Sequence, residues 1–253
     1  MEFKNILITG SGTGLGRAMA IRLAKEGHNL ILNGRTESKL IETKEMLEGF
    51  GVRVLIKVGD VSDSNFVETM ISEIVDEWGL LHIAINNAGI SGTPTPIIDI
   101  SEEDVQKIMD INFKGAWLVS KFAAQIMKKQ RKLKPLRGKI INVSSMAGKE
   151  PMLLLGIYAC SKAAIIMLTK SMAKELAPNI TVNAICPGYH ITPICNDDPN
   201  FIQNIIDNST MKSLLKRIGT AEDVAGLISF LVSDDSNYMT GENVSIDGGV
   251  VLQ

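Results

Sequence analysis

Tyr158 and Lys162 stand four residues apart in GIYACSKAAIIMLTK, a stretch whose pattern predicts a helix, and two serines, Ser144 and Ser145, lie just upstream in INVSSMAG. Residues i and i+4 share a helix face, so the Lys162 ammonium can stand beside the Tyr158 ring and favour its ionised form. A free phenol titrates at about 10, whereas a general acid or base works best with a pKa near the operating pH. A fixed neighbouring cation supplies the difference, and the pair could then exchange a proton with a bound substrate. A packed ring beside a solvated lysine is the plainer reading, and the rest of the chain has to decide between the two.

The first apolar run ends in TGSGTGLGRAMA, which sets Gly10, Ser11, Thr13, Gly14, Leu15 and Gly16 between a strand and a helix. Glycine permits left-handed turns and close approach of a ligand to the backbone, and a helix start offers unpaired N–H groups and the positive end of its dipole. A pyrophosphate fits such a place; a purely structural glycine turn is the alternative. The lysine of a Walker loop is absent, which favours a dinucleotide over a mononucleotide. After the second strand, NGRTESKL lacks the acid that would bind the ribose hydroxyls of NAD. Arg35 stands there instead, and a guanidinium pairs bidentately with the phosphate that distinguishes NADP. The expected cofactor is therefore NADP in preference to NAD, with Glu37 the residue that argues the other way. Asp60 and Val61, after the third strand in KVGDVSD, are placed to lie over an adenine, although Asp60 or Asp63 could equally cap a helix.

These residues need a scaffold, and the order of elements describes one. Short apolar runs (NILIT, NLILN, VRVLIKV, LLHIAIN, KIINVS, ITVNAIC and NVSID) alternate with helical patterns, beginning with Leu15 to Lys25 and continuing near Lys39, Phe66, Val105, Ala164 and Val224. Alternation of this kind predicts a single-domain α/β fold over residues 1–253, a doubly wound parallel sheet of seven strands with helices on both faces. The basic run KKQRKLKPLRGK, Lys128 to Lys139, reads as a helix end and a solvated surface turn. A long irregular stretch from Pro187 to about Asn208 suggests a substrate lid at about 189–215.

Composition narrows the function classes. A chain that is 45% hydrophobic with net charge −2 has material for a large core and no field suited to nucleic acid. Cys160, Cys186 and Cys195 have neither disulfide nor zinc spacing, nor do His28, His82 and His190. Of the histidines, only His190, beside the expected lid, has a position from which to meet substrate. The opening MEFKNILITG leaves no room for a signal peptide, and the apolar stretch Met152–Leu168 is too short and too interrupted to span a membrane. A cytoplasmic protein is expected.

Taken together, the motifs resemble those of the short-chain dehydrogenase/reductase family from Thr9 to Gly249. TGSGTGLG is similar to its TGxxxGxG, Asn86–Gly89 to its NNAG, and Tyr158–Lys162 to its YxxxK, in the same order and at similar separations. Further likenesses are Asn112 in INFKG, Asn183 in VNAICPG, and the tail RIGTAEDVAGLISFLVSDDSNYMTGENVSIDGG. The resemblance implies a catalytic tetrad of Asn112, Ser145, Tyr158 and Lys162. Tyr158 would exchange a proton with the carbonyl oxygen, Lys162 would stabilise its phenolate and bond the nicotinamide ribose, and Ser145 would donate to the developing oxyanion. Ser144 is the rival, but Ser145 has the family's thirteen-residue separation from Tyr158, and strand alternation turns the two opposite ways. Asn112, in a predicted long helix, would hold a water next to Lys162; a hydrogen-bonded helix kink is the other reading. Asn87, Ala88 and Gly89 would line the cofactor, and Pro187, Gly188, Ile191 and Thr192 would meet its carboxamide. The resemblance is nearest to the 3-oxoacyl-acyl-carrier-protein reductase branch. It implies a homotetramer and a carbonyl substrate, either carried on an acyl carrier drawn to the basic run or small and free; a sensor that binds NAD(P) without turnover is the non-enzymatic alternative.

Overall fold

The continuous apolar runs become strands, those inside the sheet buried on both faces and the edge strands half-buried. In the computed structural model, which describes residues 3–130, 135–190 and 199–252, seven strands form one parallel sheet: β1 (Asn5–Thr9), β2 (Asn29–Gly34), β3 (Val54–Val58), β4 (Ile83–Asn86), β5 (Gly138–Val143), β6 (Ile180–Pro187) and β7 (Asn243–Ile246). Their order is β3-β2-β1-β4-β5-β6-β7, the expected doubly wound sheet. Period-two alternation divides the side chains between two cores. Leu7, Ile31, Ala84, Ile140 and Val182 face one way; Ile6, Ile8, Leu30, Leu32, Ile83, Ile85, Ile141 and Ile185 face the other.

Helices cover both cores. α1 (Gly14–Lys25), α2 (Glu37–Met46) and α8 (Ala221–Val232) pack on the second, contributing Met19, Leu23, Leu40, Val224 and Ile228. α3 (Ser64–Trp78), α5 (Gly115–Lys129) and α6 (Gly156–Leu176) pack on the first through Val67, Ile71, Leu118, Val119, Phe122, Ala173 and Leu176. Several helix starts carry the caps their sequences promise. Asp63, not Asp60, accepts from Asn65 and Phe66 N–H to cap α3, and Thr220 and Asp223 form a capping box on α8. The Arg217 guanidinium, bonded to Asp223, holds that carboxyl well below the usual carboxylate range.

Strand order reverses between β1 and β4, since the chain runs outward through β2 and β3 and then returns to the other side of β1. Open α/β sheets bind ligands outside the carboxyl ends of strands at such a reversal. The candidate residues from β1, β4 and β5 all lie at this edge.

Three local expectations change. The presumed long helix is continuous in path but not in pitch: α4 (Glu102–Met109) runs into a π-helical turn at Asp110–Lys114, which leads into α5. The stretch expected to be irregular up to Asn208 contains α7 (Pro199–Lys212), whose Phe201, Ile202, Ile205 and Ile206 have helical spacing. The basic run is not solvated throughout. Lys139 is buried as the second residue of β5, where its ammonium donates to the carbonyls of Leu231 and Ser233 and, at 2.7 Å, to Ser236 Oγ. With Lys4, which donates to the Val232 carbonyl at 2.8 Å, it caps the carboxyl end of α8, where cations are favoured.

Candidate active site

The glycine turn leaves β1 and enters α1 along a path that other residues could not follow. Gly10 has φ +63°, and a Cβ on Gly16 would lie 2.2 Å from the Gly10 carbonyl oxygen and 2.6 Å from Asn87 Nδ2. The turn and the loop after β4 are therefore packed backbone to backbone. Thr9 joins them: its Oγ1 accepts from the N–H groups of both Asn87 and Ala88 at 3.0 Å, while Asn87 Nδ2 donates to the Thr9 carbonyl at 2.9 Å. α1 begins after Thr13 with no side-chain cap and no acid in its first turn, so its leading N–H groups are left for an anion. The cradle fits the pyrophosphate of a dinucleotide. Ser11 is a component of the turn rather than a contact within it, since it is fully buried and both its N–H and Oγ donate to the Asn33 carbonyl.

Arg35, expected to meet the adenosine phosphate, directly follows β2. Its Nη1 is 3.8 Å from Asp60 Oδ2, and its side chain remains 59% exposed. Asp60 also accepts from the N–H and Oγ of Ser62, each at 2.8 Å. Val61 turns its side chain into the core against Gly115, which leaves its backbone rather than its isopropyl group for a base. Arg17 points at neighbours instead, donating to Thr43 Oγ1 and Glu42 Oε2 at 3.0 Å and to the Gly12 carbonyl.

The four residues of the expected tetrad lie around the carboxyl ends of β4 and β5. Lys162 is buried on α6, its Nζ 5.8 Å from the centre of the half-buried Tyr158 ring and 2.9 Å from the Val143 carbonyl, to which it donates. Burial pushes its pKa down to about 8, against a smaller upward effect of Cys186. Gly89 lets the loop after β4 lie on this amine, since a Cβ there would be 3.4 Å from Lys162 Nζ and 3.1 Å from Asn112 Oδ1. Asn112 occupies the π turn and is buried. Ile90 N–H donates to its Oδ1 at 2.8 Å, and its Nδ2 donates at 2.9 Å to both the Ile90 carbonyl and Ser161 Oγ. Ser161 Oγ in turn donates to the Tyr158 carbonyl at 2.7 Å. Both amide hydrogens of Asn112 are thus committed to protein, and its side chain splints the loop after β4 to the first turn of α6. The side chain stands in a hydrogen-bonded helix irregularity, and π turns of this kind concentrate at functional sites.

The adjacent serines take opposite duties. Ser144 Oγ is directed into α6 and donates to the Lys162 carbonyl at 2.7 Å. Ser145 opens a short 3₁₀ turn, Met146–Gly148, where its Oγ accepts from Ala147 N–H at 3.1 Å and keeps its own proton to donate. Lys149 ends that turn and fastens it to the sheet edge, donating to the Asn243 carbonyl at 2.9 Å and Ser245 Oγ at 2.8 Å of β7. Pro187 ends β6, and Gly188 donates its N–H to the Ile246 carbonyl at 3.0 Å, packed so closely on Asp247 that a Cβ would lie 2.6 Å from its Cα. His190 folds back onto the Gly188 carbonyl at 3.0 Å and is buried beside Gly219, a structural position. Ile191 and Thr192 lie outside the described residues. Thr9, Ser161 and Lys149 had no local signal in the sequence, since each acts on a partner brought to it by the fold.

Among the described residues no cluster of three His, Cys, Asp or Glu could hold a metal ion, and no helix is long and apolar enough to cross a membrane. The family model described as enoyl-(acyl carrier protein) reductase matches residues 10–251. A diacetyl reductase [(S)-acetoin forming] of Staphylococcus epidermidis is 37% identical, covering 99% of each chain. The 3-oxoacyl-[acyl-carrier-protein] reductase FabG of Thermotoga maritima is 35% identical over 100% of this chain and 99% of its own. The crystal structure of levodione reductase superposes with a TM-score of 0.90 at 32% identity, covering 98% of each chain. With a glycine cradle at the strand-order reversal and Tyr158 and Lys162 beside it, the chain belongs to the short-chain dehydrogenase/reductase family and is an NAD(P)-dependent oxidoreductase of carbonyl and alcohol substrates.

Proposed function

We propose that the protein reduces a small free ketone, with NADP(H) preferred over NAD(H). What supports the reading is the buried Lys162 amine 5.8 Å from the Tyr158 ring and bonded to the end of β5, where Ser145 opens the next turn, together with an uncapped, glycine-lined helix start. Gly10, Thr13, Gly14, Leu15 and Gly16 would hold the pyrophosphate, Arg35 the adenosine phosphate, Asp60 and the Val61 backbone the adenine, and Asn87, Ala88, Gly89, Pro187 and Gly188 the remainder, with Ile191 and Thr192 assigned there on sequence alone. The bound cofactor supplies the hydride. Tyr158 delivers the proton to the carbonyl oxygen, and Ser145 donates a hydrogen bond to the same oxygen as it gains charge. Below a pH of about 8 Lys162 is an ammonium ion, which favours the phenolate left behind. Asn112 and Ser161 hold the first turn of α6 at a fixed distance from the loop after β4.

The basic run speaks against a carrier-bound substrate. α5 ends at Lys129 and β5 begins at Gly138, so the described ends of the run lie at the amino edge of the parallel sheet, opposite the carboxyl ends of the strands. A carrier docked there could not present its acyl group to Tyr158. The diacetyl reductase likeness agrees with a small diketone. A homotetramer is part of the same reading, supported by exposed Trp117 on α5, Met167 on α6 and Leu252 in the tail.

The test is loss of NADPH absorbance with a ketone panel that includes diacetyl and a 3-oxoacyl thioester. Tyr158→Phe should lower kcat/KM at least about a hundredfold while NADPH affinity changes less than threefold. Binding of NADPH with no turnover of any ketone would favour the sensor reading instead.

A further inference from the structure

A cleft of about 720 Å³ lies at the amino edge of the sheet, lined by Ile83, Gly138 and Lys139 at the starts of β4 and β5 and by residues near the carboxyl ends of α1 and α8. That volume lies in the range of sites for small organic molecules. From Lys139 to Val143, whose carbonyl holds Lys162, β5 rises roughly 13 Å, so the cleft is separate from the catalytic end. Its charges are already paired. Lys4 meets Asp234 at 2.9 Å, and Arg22 meets Glu26 at 2.5 Å. The Lys139 ammonium donates to Leu231, Ser233 and Ser236, with Asp234 and Asp235 the nearby carboxylates that favour its charge. What remains for a ligand is a hydrogen-bond donor and an apolar surface. His28 is 4% exposed and lines the cleft. Its Nδ1 accepts from Lys4 N–H at 3.3 Å, which leaves the ring proton on Nε2, and no acceptor among the described residues takes that proton. Buried polar groups are otherwise almost always paired. Burial, with Lys4 beside it, holds the imidazole pKa below its ordinary value against the opposing effect of Glu26, so the donor is uncharged at pH 7. Phe3 and Phe230, 58% and 39% exposed, and Leu136 supply the apolar surface. Gly226 leaves space on the α8 side, where a Cβ would meet no heavy atom within 4 Å.

We propose that this cleft is a binding site, separate from the catalytic one, for a small uncharged aromatic molecule bearing one carbonyl or amide oxygen. The oxygen accepts from His28 Nε2–H, and the ring system lies against Phe230 and Leu136. A carboxylate or an ammonium ion entering the cleft would give up its hydration where the charges are mutually satisfied, so the site selects against both.

The experiment titrates the full chain, saturated with NADPH, with naphthalene-2-carboxamide, 2-naphthoate and 2-naphthylmethylamine, followed by ligand-observed NMR. The amide should bind with a Kd of about 1 mM or below, as the usual affinity per atom at this size gives, and the two ions at least about tenfold more weakly. His28→Phe should weaken the amide about three- to tenfold, the worth of one neutral hydrogen bond. Gly226→Trp, which fills the cleft from α8, should abolish its binding. NADPH affinity should stay within about twofold in both variants, and far-UV circular dichroism should be unchanged, which shows that each is folded; if His28→Phe does not fold, Gly226→Trp decides alone. Absence of amide binding to the wild type, amide binding unchanged in Gly226→Trp or in folded His28→Phe, or 2-naphthoate bound as tightly as the amide each overturns the inference and leaves ketone reduction standing. Altered subunit mass of Gly226→Trp by sedimentation, with amide binding intact, assigns the cleft to a subunit contact and also overturns it.

Discussion

Replacing Lys162 by methionine tests whether the site is built around a buried cation. In an unfolded chain this lysine titrates at 10.5, and in the folded protein burial brings it to about 8. Between these values the unfolded state binds more protons than the folded one, so unfolding becomes harder as pH rises. The stabilisation is complete above 10.5 and is lost as pH falls through 8. At roughly 1.4 kcal/mol per pKa unit, the difference amounts to about 3 kcal/mol, of which about 2 kcal/mol is recovered between pH 7 and pH 9.5. Methionine matches the length of the stem without ionising. Its loss of the bond to the Val143 carbonyl is a constant offset, so only the pH-dependent part reports the charge. Urea unfolding followed by circular dichroism, at fixed ionic strength and at pH 7 and 9.5, should show the wild type gaining about 2 kcal/mol more than Lys162→Met. Lys139, also brought to about 8 by burial, contributes equally to both proteins and cancels. Parallel pH dependence in the two proteins would refute the reasoning, since it would mean that the folded surroundings of Lys162 do not disfavour its charge.

Asn112→Ala removes three hydrogen bonds and strands the N–H and carbonyl of Ile90; it should cost about 2–4 kcal/mol by urea unfolding and lower kcat more than it raises KM for NADPH. Gly16→Ala places a Cβ 2.2 Å from the Gly10 oxygen, so dinucleotide affinity by isothermal titration should fall at least about tenfold while secondary structure by circular dichroism persists. Arg35→Ala should weaken NADPH at least about tenfold and NADH less than twofold; equal weakening of both would remove the phosphate contact from the account.

Much of this molecule could be read in its amino acids because the informative signals were local. A run such as NLILN is apolar on both faces, and only a strand covered from above and below accepts that pattern. The glycines of TGSGTGLG and the Tyr158–Lys162 spacing likewise state their requirements within one turn. What escaped depends on partners distant in the chain. Asn112 lies in a π turn and bonds Ile90 and Ser161, which reach it from two other elements. Lys139 looks like part of a solvated cluster until the end of α8 arrives to accept its protons. Ser11, placed among ligand-binding residues by its neighbours, turns inward because the Asn33 carbonyl lies beneath it.

The fastening of Lys149 to β7 divides the span between Ser145 and Tyr158 into two parts with separate fates. Residues up to 149 are anchored to the sheet and those from 156 onward belong to a long helix, so 150–155 form a replaceable cassette between two fixed posts. Insertions, deletions or exchanged side chains within it leave the hydroxyl at one post and the phenol at the other where they stand.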